Sequence, residues 1–284
     1  MEDAVSKKLN LGCGSRFHSD WQNINFTSSG SEVLAANLNE GIPFPDDSYD
    51  VVYLSHLLEH FNKGAALRFL QECFRVMKIG AIIRVVVPDL ESIVREYLVA
   101  LEGARNGKLS GQQNYEWILL EMYDQVTRNH SGGEMADYLF QKEIANEDFV
   151  VARCGAEVRK LIALGRKTHL ADQEQLNNKK SIIRRLLGVL LRPNVLREHI
   201  LSMLLGTEYK ALQVGRFRMS GENHQWMYDS YSLERLLEHS GFKDIIVRNA
   251  STSYIQNWAN YNLDTEPDGS VYKPDSLYIE AIRP

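Results

Sequence analysis

Cysteine is scarce: Cys13, Cys73 and Cys154 are the only three in 284 residues, and no two form a C-x-x-C pair. An odd, unpaired set makes neither a disulfide framework nor a cysteine zinc site readable, and it fits a reducing compartment. No apolar run approaches the ~18–20 residues that a membrane span requires. The sequence becomes strand-like by Leu9, leaving no room for a secretory signal. Surplus positive charge is lacking too: 32 Lys and Arg face 37 Asp and Glu, a net charge of −5. That balance excludes nucleic-acid binding through bulk charge. No internal repeat or low-complexity tract is visible. What remains is an ordinary globular composition, 44% hydrophobic and 24% charged, on a chain long enough to bury a sizeable core. The expectation is a soluble protein of the cytoplasm.

The charge is unevenly spread. From Arg153 to Arg218 there are 14 Lys and Arg against 5 Asp and Glu, a local +9, which leaves the rest at −14. Such a split points to an anionic partner for the basic part.

Residues 7–90 alternate short apolar runs with turn chemistry. Leu9 to Leu11 runs into Gly12-Cys13-Gly14; Gln22 to Phe26, Val33 to Leu38, Tyr49 to Leu54 and Ala81 to Val87 follow. β-Branched runs of this length suit buried parallel strands. Between the last two, Leu67, Leu70, Phe74 and Met77 recur at helical spacing, with Asn62 as the cap and Gly80 after the end. From Leu90 to about Met219 the pattern is helical without strand signals. Strand signals return at Asp244 to Arg248 and Ser276 to Ile282. The organisation expected is an α/β domain, 1–90 plus 220–284, interrupted by a helical insertion over 91–219.

A glycine pair after a strand lets a ligand approach bare backbone, but G-x-G alone is a weak signal. Arg16 and Phe17 occupy the space of the later glycines of a dinucleotide fingerprint, and no G-K-[ST] follows. The order of segments is far more specific. KLNLGCG, WQNINF, ANLNEGIPFPDDSYDVVYLSHLLEHF and FRVMKIGAIIRVVVPDLE, with GENHQWMYDSYSLERLLEHSGF and KPDSLYIEAIRP at the end, together resemble the class I S-adenosylmethionine-dependent methyltransferases. The likeness is greatest to the type 11 branch, which includes members associated with polysaccharide and glycan biosynthesis. It implies a Rossmann-like sheet, mostly parallel with an antiparallel last strand, and S-adenosylmethionine as cofactor. It further implies that Leu11, Gly12, Cys13 and Gly14 face the cofactor's amino-acid part, Asn25 its ribose, and Asn37 and Leu38 its adenine. Ser55 and His56 would line the methyl-donor end. Asn25 and Asn37 stand where the family often has acids, and an amide accepts through only one oxygen.

Methyl transfer rests mainly on positioning, and a hydroxyl acceptor gains from a base within reach. His56, Glu59 and His60, at the mouth of the fourth run, are candidate bases, though Glu59 and His60 read more plainly as helix-start structure. His56 and His60 are four apart and could mimic a metal pair, but no third ligand is in view and no metal site is expected. Asp89, after the fifth run, is a candidate base whose plain reading is a helix cap. Arg128 to Met135 reads as a turn or as a lid over the pocket. The segment Gly221 to Asp229 is dense in polar and aromatic groups and suits a sugar-like acceptor. His224 is the expected general base, with Glu222 beside it. Trp21 or Tyr53 could meet the sulfonium by cation–π attraction, or simply fill the core.

In Lys179 to Arg192, Ile182, Ile183, Leu186, Leu187, Val189 and Leu190 fall on one arc opposite Arg184, Arg185 and Arg192, and Val195 to Leu205 suggests a second helix. A helical hairpin packed on the sheet domain accounts for this. Peripheral contact of 179–205 with an anionic membrane is the sharper alternative. The activity expected is O-methylation of a saccharide or glycan precursor. A small metabolite or lipid acceptor, or a non-catalytic scaffold of the same fold, are the alternatives.

Overall fold

A computed structural model describes residues 6–28, 30–176 and 193–284. Its centre is a seven-stranded sheet in the order β3-β2-β1-β4-β5-β7-β6. The strands are β1 (Lys8–Leu11), β2 (Gln22–Asn25), β3 (Val33–Ala35), β4 (Tyr49–Ser55), β5 (Met77–Pro88), β6 (Lys243–Arg248) and β7 (Ser276–Ile282). β1 to β5 pair in parallel, and β7 runs antiparallel to both β5 and β6. This is the mostly parallel, antiparallel-ended sheet that the family resemblance implies.

Period-two alternation sends the strands into two cores. Val52 and Leu54 join Leu9, Leu11, Ile83 and Val85 under α1 (Lys63–Val76) and α8 (Ser230–His239). Val51 and Tyr53 face the other way, into a cluster with Trp21, Ile255, Trp258 and Leu263. Trp21 is thus core, as its plainer reading had it. Arg84 on β5 is fully buried on this second face. Its Nε donates to Asp264 Oδ2 at 2.7 Å and its guanidinium to Glu280 Oε1 at 2.8 Å and to the Asn249 carbonyl at 2.8 Å.

Several boundaries differ from the sequence reading. Asn62 caps α1 by accepting from the Ala65 amide at 3.0 Å, but the helix stops at Val76 and Met77 opens β5. The amides of Asp47 and Ser48 take the carbonyls of Arg75 and Val76, so the last turn cannot continue and Met77 is extended. Gly80 therefore lies inside β5, at φ +78. β2 stops at Asn25, leaving Phe26 exposed, and β3 stops at Ala35 because Asn37 caps a 3₁₀ helix at Leu38–Glu40.

Between β5 and α8 lie α2 (Leu90–Arg105), α3 (Leu109–Thr127), α4 (Gly133–Leu139), α5 (Glu147–Leu176), α6 (Pro193–Leu205) and α7 (Glu208–Arg218). α3, α4 and α5 share a core of their own around Trp117, Leu139, Val150, Cys154 and Val158. α6 is tied to α7 by Glu198, which meets Arg216 at 2.9 Å and Tyr209 at 2.8 Å, while Leu196, Met203 and Leu204 are exposed. The basic amphipathic run 179–192 lies outside the described residues. Among the described residues no helix is long and apolar enough to cross a membrane.

α5 is kinked at Gly155, whose φ of +73 and ψ of −146 are not helical. The kink frees the Ala156 amide to donate to the Tyr272 carbonyl. A Cβ at position 155 would stand 2.4 Å from that oxygen and 2.5 Å from Pro274 Cδ. Two residues on, Glu157 meets Lys273 at 2.9 Å. The bare α-carbon thus lets the 272–275 segment close onto α5. Gly155→Ala is expected to cost about 1–3 kcal/mol by overpacking a left-handed position, read as a lower denaturant midpoint.

Candidate functional site

Two cavities open at the carboxyl ends of the parallel strands, where open α/β sheets take their ligands. The smaller, about 220 Å³, lies between the turn after β1 and the end of β4. Gly12, Cys13 and Gly14 form one wall, Ser55 and His56 another, with Tyr53 between. Gly12 (φ +67) and Gly14 (φ +54) are both left-handed; a Cβ on Gly12 would stand 2.9 Å from the Leu57 side chain, whereas one on Gly14 would meet nothing within 4 Å, so the turn presents open backbone at Gly14. Asn10, below it, donates to Asn23 Oδ1 at 3.1 Å. Burial pushes the Cys13 thiol up to about 11 and keeps it protonated.

The larger cavity, about 570 Å³, lies under α3, α4 and α5. It shares His56, Glu157 and Lys273 with the smaller one, so these three residues stand where the two spaces adjoin. Lys273 keeps its charge: burial opposes it, but the Glu157 carboxylate outweighs this and raises its pKa. His60, Arg128, Glu222, His224 and Asp275 are further polar groups of the lining.

A buried cluster forms the wall nearest the sheet. Glu59 belongs to a 3₁₀ helix, Leu58–His60, just after β4. Its backbone carbonyl accepts from the amides of Gln225 (2.7 Å) and Trp226 (3.2 Å), while the His224 amide donates to Gln125 on α3. The chain returning from the helices is therefore bolted to the mouth of β4. The Glu59 side chain is buried, with His56 Nδ1 at 3.4 Å and His224 Nε2 at 3.9 Å from Oε1. The His60 and His224 rings meet edge to face, 4.8 Å between centroids. Burial pushes the Glu59 carboxyl up, but the His56 imidazole beside it more than reverses this and leaves it below its ordinary value. Burial also takes the His224 imidazole down to about 3, despite the attraction of Glu59, so the ring is neutral.

The fold gathers some expected residues and leaves others aside. Gly12, Cys13, Gly14, Ser55 and His56 converge on the smaller cavity; Leu11 is wholly buried beneath the turn. Asn25, Asn37 and Leu38 do not line it. Asn25 ends β2 and Asn37 is spent as a cap, accepting from the Asn39 amide at 3.2 Å. His224 and Glu222 line the larger cavity, where Glu222 Oε1 also accepts from the Gly132 amide at 2.9 Å. Asp89 lines neither cavity; its Oδ1 accepts from the Glu91 amide at 3.0 Å and caps α2, its plainer reading.

Further departures concern side chains expected at the acceptor. His56 and His60 do not share a helical face, because His56 leaves β4 at φ +50 before the 3₁₀ helix begins. Trp226 carries the Lys63 ammonium 3.8 Å above its ring and Tyr228 is core, so neither offers its face to the larger cavity. The 128–135 turn is anchored: Arg128 meets Asp124 at 2.9 Å, and Asp124 accepts from the Glu134 amide at 2.8 Å. Glu59 was legible as a candidate base and, more plainly, as helix-start structure, and it does stand in a 3₁₀ helix. Glu157, Tyr272 and Lys273 were not singled out from the sequence, and the Glu157–Lys273 pair, joined across the fold, offered no signal.

The family model described as a methyltransferase domain matches residues 18–85. Comparison with curated proteins gives no match. Solved structures with a similar course include a SAM-dependent methyltransferase, possible histamine N-methyltransferase, from Thermotoga maritima. It is 11% identical at TM-score 0.40, over 98% of this chain and 83% of that one. A SAM-dependent methyltransferase from Archaeoglobus fulgidus is 11% identical at TM-score 0.38, over 98% and 86%. The sheet order and the domain match agree: the fold is the Rossmann-like methyltransferase fold, and S-adenosylmethionine is the cofactor that goes with that domain.

Proposed function

We propose that the S-adenosylmethionine-dependent methyltransferase activity of this chain is directed at a hydroxyl of a polar acceptor, a saccharide or glycan precursor. The observation that carries this reading is the pair of adjoining cavities. One has open glycine backbone at the end of β1, and the other, about 570 Å³, sets carboxylates, imidazoles, Arg128 and Lys273 beside an apolar side made by Met135, Leu139, Phe140 and Leu161. A hydroxyl-rich acceptor can meet such a lining with hydrogen bonds of both senses.

The smaller cavity fits the cofactor's donor end. Gly12 to Gly14 would admit the amino-acid part against bare backbone, and Ser55 and His56 would flank the sulfonium. When bound, the cofactor supplies an electrophilic methyl group. The protein's own share is to hold the acceptor oxygen in line with that methyl and to deal with the hydroxyl proton. Lys273 and Glu157, at the junction, would orient acceptor oxygens; His224 would meet the reacting hydroxyl, with Glu222 at the rim.

The first test is thermal. S-adenosylmethionine or S-adenosylhomocysteine at 100 times its dissociation constant is expected to stabilise the chain by about 2.7 kcal/mol, a rise in Tm of roughly 5–10 °C at this size. No rise with either at millimolar concentration would favour a scaffold that kept only the fold. Transfer of labelled methyl to a panel of nucleotide-sugars, against small amines and lipids, then separates the acceptor classes.

A further inference from the structure

We propose that Glu59, His60 and His224 form a binding site for a divalent d-block cation, with Zn²⁺ as the best match to the donors. One ligand atom from each of the three lies within 4.8 Å of the other two. Such spacing lets a small rotation of each side chain bring all three onto one ion at about 2.0–2.2 Å.

The frame behind them is fixed independently of any ion. Glu59 and His60 come from one 3₁₀ helix, and the loop carrying His224 is held to that helix through the Glu59 carbonyl and to α3 through Gln125. The second observation is the state of the donors. Both Glu59 carboxylate oxygens and His60 Nδ1 are buried without a hydrogen-bond partner. Among the described residues the imidazole nitrogen nearest the carboxylate is His56 Nδ1, 3.4 Å from Oε1 and short of a well-formed hydrogen bond, and native proteins rarely leave a buried carboxylate so poorly satisfied. By contrast, the buried Glu280 and Asp264 on the other face of the sheet are each bonded to Arg84. A cation among the three donors would remove the deficit in one step.

The donor set also selects the ion. Two imidazoles with one carboxylate suit zinc and its neighbours, whereas magnesium and calcium take all-oxygen shells. Three protein ligands leave a coordination position free, and His60 and His224 both line the larger cavity, so that position faces the acceptor space. His56 stands just outside. Its Nδ1 is 3.4 Å from Glu59 Oε1 and its Nε2 is 2.9 Å from Ser276 Oγ, an arrangement that would orient the carboxylate as an outer partner.

The site goes beyond the methyl-transfer reading and does not depend on it. With the ion bound, the effect that reading gives to His224 would be exerted through the metal.

The test uses the full chain, stripped with chelator and dialysed. Titration with Zn²⁺ by calorimetry is expected to show one ion per chain. Co²⁺ should bind with visible d–d absorption that Zn²⁺ abolishes and Mg²⁺ does not. Glu59→Gln, His60→Ala and His224→Ala should each weaken Zn²⁺ binding at least about tenfold, while His239→Ala, at an exposed position of α8, leaves it unchanged. Circular dichroism and the Tm response to S-adenosylhomocysteine report whether each variant is folded. Equal affinity in all three variants, or no Zn²⁺ binding by parent protein that still responds to S-adenosylhomocysteine, would overturn the site. Zn²⁺ binding without that response would sustain the site and sink the cofactor reading instead.

Discussion

Replacing Arg84 by leucine is expected to destabilise the protein by about 3–5 kcal/mol, the cost of leaving buried charge without its partner. Arg84 is wholly buried between two carboxylates, Asp264 at 2.7 Å and Glu280 at 2.8 Å, with Asn249 and Thr252 carbonyls taking further N–H groups. The Trp258 ring lies 4.6 Å from the guanidinium carbon. Leucine fills much of the space but supplies no donor. Glu280 still receives the Tyr254 amide at 2.8 Å and Arg248 at 3.2 Å. Asp264 keeps only the Tyr53 hydroxyl, at 2.6 Å, among its side-chain partners.

At roughly 2–4 °C per kcal/mol for a chain of this class, Tm should fall by about 6–20 °C. The sign of its pH dependence follows from Asp264, whose pKa burial raises even with Arg84 present. A raised folded-state pKa means that the folded form holds the proton more readily, so this group's contribution improves as pH falls. The deficit of Arg84→Leu should therefore be smaller at mildly acidic pH than at mildly alkaline pH. Arg84→Leu combined with Asp264→Asn should recover part of the loss. A change in Tm under 2 °C in the single variant would show that the network carries little net stability.

Replacing His224 by alanine is expected to lower turnover at least about tenfold, through loss of a neutral imidazole that positions the acceptor hydroxyl rather than of a strong base, while the cofactor-induced rise in Tm persists. The loop itself should stay in place, because what pins it are backbone bonds: the His224 amide to Gln125, and the Gln225 and Trp226 amides to Glu59. The side chain lines the larger cavity, the one proposed for the acceptor, and not the smaller one. The loss should thus fall on turnover and leave cofactor binding intact. Unchanged turnover would remove His224 from the chemistry. A lost cofactor response would mean that the loop, and not the imidazole, matters.

Much of the frame is local and was legible. Val51 to Leu54 alternate between two cores because successive residues of a strand point to opposite faces. Asn62 caps a helix because its side chain reaches the amide three residues on. Gly12 and Gly14 mark an open turn because only glycine takes left-handed backbone without cost. The last strand, Ser276 to Ile282, has the predicted bounds and the antiparallel pairing that the resemblance implied.

The site residues divide differently. Asp89 was legible as cap and as candidate base alike, and only its bond to the Glu91 amide chose the cap. The spacing of His56 and His60 suggested a pair, but positive φ at His56 turns it away, and the fold pairs His60 with His224 instead. Glu157 and Lys273 meet because Gly155 kinks α5 against the Tyr272 carbonyl, and nothing near either residue in sequence announces the partner. Periodicity and caps are set within a turn or a strand, so sequence alone determined the sheet, its main helix and the glycine turn. The cavities and the buried Glu59–His60–His224 cluster are made where distant segments cross. Their electrostatics come from burial and from charges brought close, and only the tertiary structure decides these.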